Sequence, residues 1–164
     1  MKSPFQKTSL LLIVLFGWSA IVYAHCEIPC GIYDDNMRID MIREHITTIE
    51  KSMNQIVELS KSSQMNYNQL IRWINNKEDH ANQLQHIVAQ YFLTQRIKLA
   101  DETDKKAQDE YLTQLALLHQ LLVHAMRTKQ TLDQKYIQEL RTTVDKFCEV
   151  YFDEEAKSHI KEHN

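Results

Sequence analysis

From Ile32 to Asn164 the chain contains neither glycine nor proline. These two residues most readily interrupt regular backbone, so so long a stretch without either favours helix wherever apolar residues recur every three or four positions. They recur in four blocks. Met37, Met41, Ile42, Ile46, Ile49, Met53, Ile56 and Val57 line a first helix, with Asp34 or Asp35 available as its N-cap. Leu70, Trp73, Ile74, Ala81, Leu84, Ile87, Val88 and Tyr91 line a second. Tyr111, Leu115, Leu118, Leu122 and Met126 line a third, and Ile137, Leu140, Val144, Phe147 and Tyr151 a fourth. Lys61-Ser62-Ser63, the polar run from Asp101 to Asp104 and the turn after Thr131 separate them, and no strand-like alternation is sustained. Short polar links make consecutive helices run in opposite directions. The expected fold is therefore all-α, an antiparallel four-helix bundle over residues 34–164, with the charge-rich end from Asp153 to Asn164 expected to fray.

The first residues follow another grammar. Lys2 and Lys7 precede an apolar run from Leu10 to about Val22, which ends in Val22-Tyr23-Ala24. A charged start, an apolar middle and a small residue before the cut form a secretory signal peptide, residues 1–24, with signal peptidase cutting between Ala24 and His25. The run is shorter than the roughly 20 apolar residues a membrane span needs, and no second one follows. The expectation is an exported protein, periplasmic or secreted, with no stable membrane anchor after cleavage. Loss of Lys2 and Lys7 with the leader leaves a mature net charge of about −5, which argues against a nucleic-acid surface.

Bundles often hold metals between their helices, and the di-iron pattern needs a Glu three residues before a His on two helices. None of His45, His80, His86, His119, His124, His159 or His163 is so preceded. P-loops, nucleophile elbows and H-E-x-x-H motifs are absent too. What remains is His25-Cys26-Glu27-Ile28-Pro29-Cys30-Gly31-Ile32-Tyr33, which holds two of the chain's three cysteines. A Cys26–Cys30 disulfide, with Cys148 left as a buried thiol on the fourth helix, fits the spacing of this segment. So does a metal site. Cleavage before His25 frees an α-amine with a pKa of about 8, from which a metal can displace the proton. The amide nitrogen of Cys26 and then its sulfur follow at intervals that close two five-membered chelate rings, and Cys30 can fold back as a fourth donor. Two nitrogens and two thiolates in one plane suit Ni(II), with the His25 imidazole in reach as a fifth ligand. Zinc prefers three or four Cys and His side chains, and copper(II) tends to oxidise thiolates, yet donor chemistry alone leaves both open.

The string HCEIPCGIYD resembles the N-terminal hook of the nickel superoxide dismutase family, H-C-x-x-P-C-G-x-[YF], and RWINNKEDHANQLQHIVAQYFLTQRIK, from Arg72 to Lys98, is similar to the same family. The resemblance implies a metal-binding hook at residues 25–33 holding one nickel ion per subunit. His25 would bind through its amine and, when the metal is oxidised, its imidazole; Cys26 through its amide nitrogen and sulfur; Cys30 through its sulfur. It also implies disproportionation of superoxide to dioxygen and hydrogen peroxide by Ni(II)/Ni(III) cycling, assembly as a homohexamer, and a place for Tyr33 beside the open face of the metal. Pro29 and Gly31 would shape the hook, the one by fixing φ, the other by permitting unusual backbone angles. In some members a first-helix Glu accepts a hydrogen bond from the ligating imidazole; Asp40 matches it only if one residue is deleted upstream. Many members are cut from a short propeptide by a dedicated protease, whereas this leader reads as a substrate for ordinary signal peptidase. The competing readings are a non-enzymatic secreted helical protein with the disulfide, and a metal carrier.

Overall fold

The computed structural model describes residues 35–152. The expected leader, the hook and the end from Asp153 lie outside the described residues. Four helices follow one another: α1 (Asp35–Ser60), α2 (Tyr67–His86), α3 (Lys105–Gln130) and α4 (Lys135–Tyr151). The backbone runs on from α2 into a π-helical segment, Ile87–Arg96. Among the described residues there is no strand, and no helix is long and apolar enough to cross a membrane.

Helix ends fall where short polar side chains satisfy free backbone groups. The Asn66 carbonyl accepts from the amide of Gln69 at 3.1 Å to start α2, and the Asp104 carboxylate accepts from that of Ala107 at 3.1 Å to start α3. Before α3, Asp101 draws the backbone and hydroxyl of Thr103 into a turn. The C-terminal end of α3 is closed differently. Lys77, buried on α2, donates through Nζ to the carbonyls of Thr128 and Lys129 at 2.7 and 2.6 Å and pairs with Glu78 at 3.2 Å. A cation set on the last carbonyls of a helix meets both their hydrogen-bonding need and the negative end of the helix dipole.

Contacts between helices run in opposing order, which makes the bundle antiparallel. Down α1, His45 meets His80 and Ser52 meets Asn76 on α2; Arg43 and Glu50 meet Asp145 and Arg141 on α4, and Asn54 meets Gln134 at its N-cap. Lys77 and Gln85 of α2 reach Thr128 and Leu122 of α3, and Gln114 of α3 reaches Val150 of α4. The core between them is Ile39, Ile42, Ile46, Ile49 and Met53 of α1, Ala81 and Leu84 of α2, Leu118, Leu121 and Ala125 of α3, and Ile137, Leu140, Val144 and Phe147 of α4, with Val88 and Phe92 from the π-helical segment.

Four details depart from the periodicity. Met37 is 46% exposed and Ile39 takes the inner place, and Ile74, expected in the second stripe, is 38% exposed. On α3 the buried lane is Leu117, Leu118, Leu121, Ala125 and Thr128, so of the expected stripe only Leu118 is fully enclosed. The sequence TQLALLHQLLVHAM is apolar on two adjacent lanes, and the one carrying small Ala125 and Thr128 lets the helix approach Lys77 closely. Phe92, which falls outside the expected second stripe, has 0% exposure. The wider π turn moves it inward beside Tyr91, where its ring meets Tyr91, Phe147 and Tyr151 edge-on at 5.2, 5.2 and 5.6 Å. Phe92→Ala should therefore lower the unfolding free energy by about 3–5 kcal/mol, read from urea denaturation, because the rigid aromatic neighbours can only partly collapse onto the space left.

Candidate functional site

His25, Cys26, Cys30 and Tyr33, the residues expected to carry the chemistry, lie outside the described residues. Among the described residues no cluster of three or more His, Cys, Asp or Glu side chains is arranged to hold a metal. Asp40 stands on the outer side of α1 with its side chain 64% exposed, 4.0 Å from Arg43. Cys148 is buried and unpaired, and burial pushes its thiol up to about 11, so it is a proton-bearing packing group at neutral pH.

The polar constellation at the start of the described chain is centred on Asp35, two residues after Tyr33. Its carboxylate accepts from Tyr91 Oη at 2.5 Å on one oxygen, and from Tyr151 Oη at 2.8 Å and Arg96 Nη2 at 2.7 Å on the other. The guanidinium groups of Arg38 and Arg96 lie 5.0 and 5.6 Å from the centre of the Tyr91 ring. Two of these donors, Tyr91 and Arg96, are five residues apart, a spacing that an α-helix does not stack but a π-helix does. The same spacing recurs where Thr94 reaches the carbonyl of Ala89 and Gln95 that of Gln90. The π-helical segment thus turns two side chains onto one carboxylate.

Burial opposes ionisation of Asp35, but the hydrogen bonds from Arg96, Tyr91 and Tyr151 outweigh it and hold the carboxyl below the usual aspartate range. Burial, then the bond to Asp35, pushes the Tyr91 phenol up to about 12, and the same two causes raise Tyr151. The cluster at neutral pH is one carboxylate, two neutral phenols, and the cations Arg38 and Arg96. Sequence reasoning missed this site, assigning Asp35 to a helix cap and both tyrosines to the core stripes. The available signal was that two stripes end at Tyr, whose hydroxyl needs a partner when the ring is buried.

A second polar pair sits deeper. His45 of α1 is 7% exposed and its Nδ1 lies 2.8 Å from Nδ1 of His80 on α2. His45 Nε2 is buried without a hydrogen-bond partner. A bare lone pair there is less costly than an orphaned N–H, which assigns the shared proton to His45 Nδ1, donating to His80. Burial first, and the neighbouring His80 second, lower the His45 pKa from its ordinary value, against a smaller opposing pull from Glu44.

Comparison with known families matches residues 20–155 to the family model described as nickel-containing superoxide dismutase. No curated protein and no solved structure matches the chain.

The His45 pair makes stability pH-dependent. In the unfolded chain this imidazole titrates near 6.5, whereas in the fold it stays neutral to lower pH. As pH falls below that value the unfolded state takes up the proton first, so the stabilisation is complete above it and is lost on acidification. Between about pH 6.5 and 5 the urea midpoint of the wild type should fall more steeply than that of His45→Gln, measured by helical circular dichroism.

Proposed function

The chain belongs to the nickel-containing superoxide dismutase family, and from that membership we propose that it disproportionates superoxide at a nickel centre built on its processed N-terminus. The observation that carries this reading is that the family match includes residues 25–33, where His25, Cys26, Pro29, Cys30, Gly31 and Tyr33 fall at the family's spacing. Two superoxide anions and two protons become one dioxygen and one hydrogen peroxide.

The donor set fits the metal. An amine and an amide nitrogen with two thiolates are anionic, strongly donating ligands of the kind that lower the potential of a nickel couple, and imidazole adds a further nitrogen. Bound there, one nickel ion per subunit supplies a one-electron couple, Ni(II)/Ni(III), that oxidises one superoxide and reduces the next. His25 provides the terminal amine and, for the oxidised metal, the imidazole; Cys26 provides its backbone nitrogen and thiolate; Cys30 provides its thiolate. Tyr33 offers a phenol that orders water or the incoming anion and restricts access. Signal peptidase, by cutting after Ala24, both exports the protein and creates the amine, so residues 1–24 are leader, 25–33 hook and 34–164 bundle. The mature protein is secreted or periplasmic and works as a homohexamer, for which exposed Tyr67, Ile71 and Leu112 supply apolar surface.

Mass spectrometry of the exported protein tests the centre directly. A chain beginning at His25 with one nickel is the expected result, and a metal-free chain two hydrogens light would assign Cys26 and Cys30 to a disulfide instead. Cys26→Ser and Cys30→Ser should each abolish stoichiometric nickel and dismutase activity while leaving the helical circular dichroism intact, because both positions precede every helix of the bundle.

The amine carries its own test. One unprocessed residue left before His25 turns the amine into an amide and displaces the first chelate ring, so the extended protein should fold and be inactive. Nickel binding and turnover equal to those of the chain cut before His25 would rule out a terminal-amine ligand.

A further inference from the structure

Half of α2 lies against the bundle without entering its core. From Tyr67 to Asn76 no residue is buried, and the buried residues of the helix are Lys77, Ala81 and Leu84. A stretch with so little enclosed apolar surface opens at low cost unless polar contacts fasten it. Two such contacts reach α1: Asn76 donates to Ser52 at 2.8 Å, and one turn on His80 meets His45. We infer that the His45–His80 contact is a proton-operated latch: it holds one proton between the two helices, opens when a second arrives, and on opening frees the stretch of α2 from Tyr67 to His80 from α1.

The mechanism follows from the nitrogens. A hydrogen bond between Nδ1 atoms 2.8 Å apart needs one of them bare. With the proton on His45, the Nδ1 of His80 is the acceptor. A second proton placed there sets two N–H groups head to head. Moving the first proton to Nε2 of His45 would relieve the clash, but that nitrogen is enclosed without a hydrogen-bond partner, and an orphaned N–H costs more than a bare lone pair. His45 is 7% exposed and cannot hydrate a charge, whereas His80 is half-buried. The ring that leaves is therefore His80, which turns to water as an imidazolium.

The surrounding charges do not rescue a doubly protonated pair. Those acting on His45 are the His80 ring from α2, which opposes protonation, and Glu44 of its own helix, which favours it by less. On the α4 side of α1, Arg43 and Glu50 pair with Asp145 and Arg141, and on α2 Lys77 is taken up by the end of α3 and by Glu78. Among the described residues no carboxylate bonds to either ring. An imidazole in water titrates near 6.5, so the open form gains protons below that pH and the closed form does not. Acid thus favours opening. Global unfolding also gains from acid, through His45 in the unfolded chain; the latch differs in releasing one stretch of helix while the core of α1, α3 and α4 stays shut.

Amide hydrogen exchange of the purified protein, read by mass spectrometry at pH 7.5 and 5.5 and corrected for the intrinsic effect of pH, tests this. Peptides from Tyr67–His80 should exchange about tenfold faster at the lower pH, and those from Ile137–Cys148 of α4 should stay within about twofold. His80→Gln keeps an acceptor for the His45 N–H but does not titrate, so it should abolish the acid response of the α2 peptides. Ring nitrogen NMR of the wild type should show His80 protonated on both nitrogens over the same pH range while His45 keeps its Nδ1 proton. Equal acceleration in α2 and α4 overturns the latch, because it reports softening of the whole fold. A full acid response in His80→Gln overturns it too, as do ring spectra in which His45 moves its proton to Nε2 with the contact intact. Should His80→Gln fail to fold, the wild-type ring spectra and the comparison of α2 with α4 decide by themselves.

Discussion

The ring of Phe92 is the contact on which one end of this bundle depends. It has no exposed surface, and it is enclosed by three aromatic rings contributed by its own segment and by α4. Offset edge contacts of this kind add specific geometry to the hydrophobic gain, so they fix orientation as well as proximity. Two of the three neighbouring rings are tyrosines, and both hydroxyls emerge from the apolar cluster onto Asp35. The apolar packing therefore aims the polar groups. A shift of Phe92 would move two of the donors that hold the first residue of α1.

The middle of the bundle is organised by polar contacts placed between apolar layers. Ser52 of α1 accepts from Asn76 of α2 at 2.8 Å, and one helical stretch away His45 meets His80 across the same seam. Apolar stripes alone define which faces meet and define register poorly, because one turn of slip still buries Ile against Leu. A slip here would separate Ser52 from Asn76 and leave the buried His45 ring without its partner, an orphan that costs on the order of 1–3 kcal/mol. Lys77 acts in the same sense between α2 and α3, since its ammonium fits only where the terminal carbonyls of α3 are free.

Much of this fold was legible in residue order. The break at Lys61-Ser62-Ser63, the polar run around Asp101 and the turn after Thr131 fall where the helices stop, because glycine-free and proline-free sequence leaves only such polar clusters as punctuation. The face of α4 was legible because its apolar residues occupy a single lane. The face of α3 was not, since two lanes are equally apolar and its partners choose between them. The π-helical segment left no trace in composition. Its ten residues, IVAQYFLTQR, carry ordinary helical propensities, and the extra residue per turn is imposed by tertiary packing. Phe92, whose inward place depends on it, was accordingly left out of the second stripe, whereas Tyr91 fell within that stripe and is buried. The hook motif is read differently: its expected donors are defined by covalent order from the expected new terminus, and they lie outside the described residues.

That contrast bears on how such a protein divides its work. Metal ligands drawn from the four helices would have to be aligned by packing, and any change in the core would reach the chemistry. On the proposed reading, donors strung along a processed terminus would form their chelate rings by covalent connectivity rather than by packing. The Asp35 cluster is a fixed set of charges at the start of α1. Its carboxylate stays ionised below the usual aspartate range, and the Tyr91 phenol keeps its proton to about 12, so across the physiological range no member changes its charge. Arg38 and Arg96 both lie against the Tyr91 ring, so the phenol that meets Asp35 is set beside cations as well as a carboxylate. His45, whose pKa burial lowers, is set about three helical turns along α1 from Asp35, so its titration falls away from this cluster.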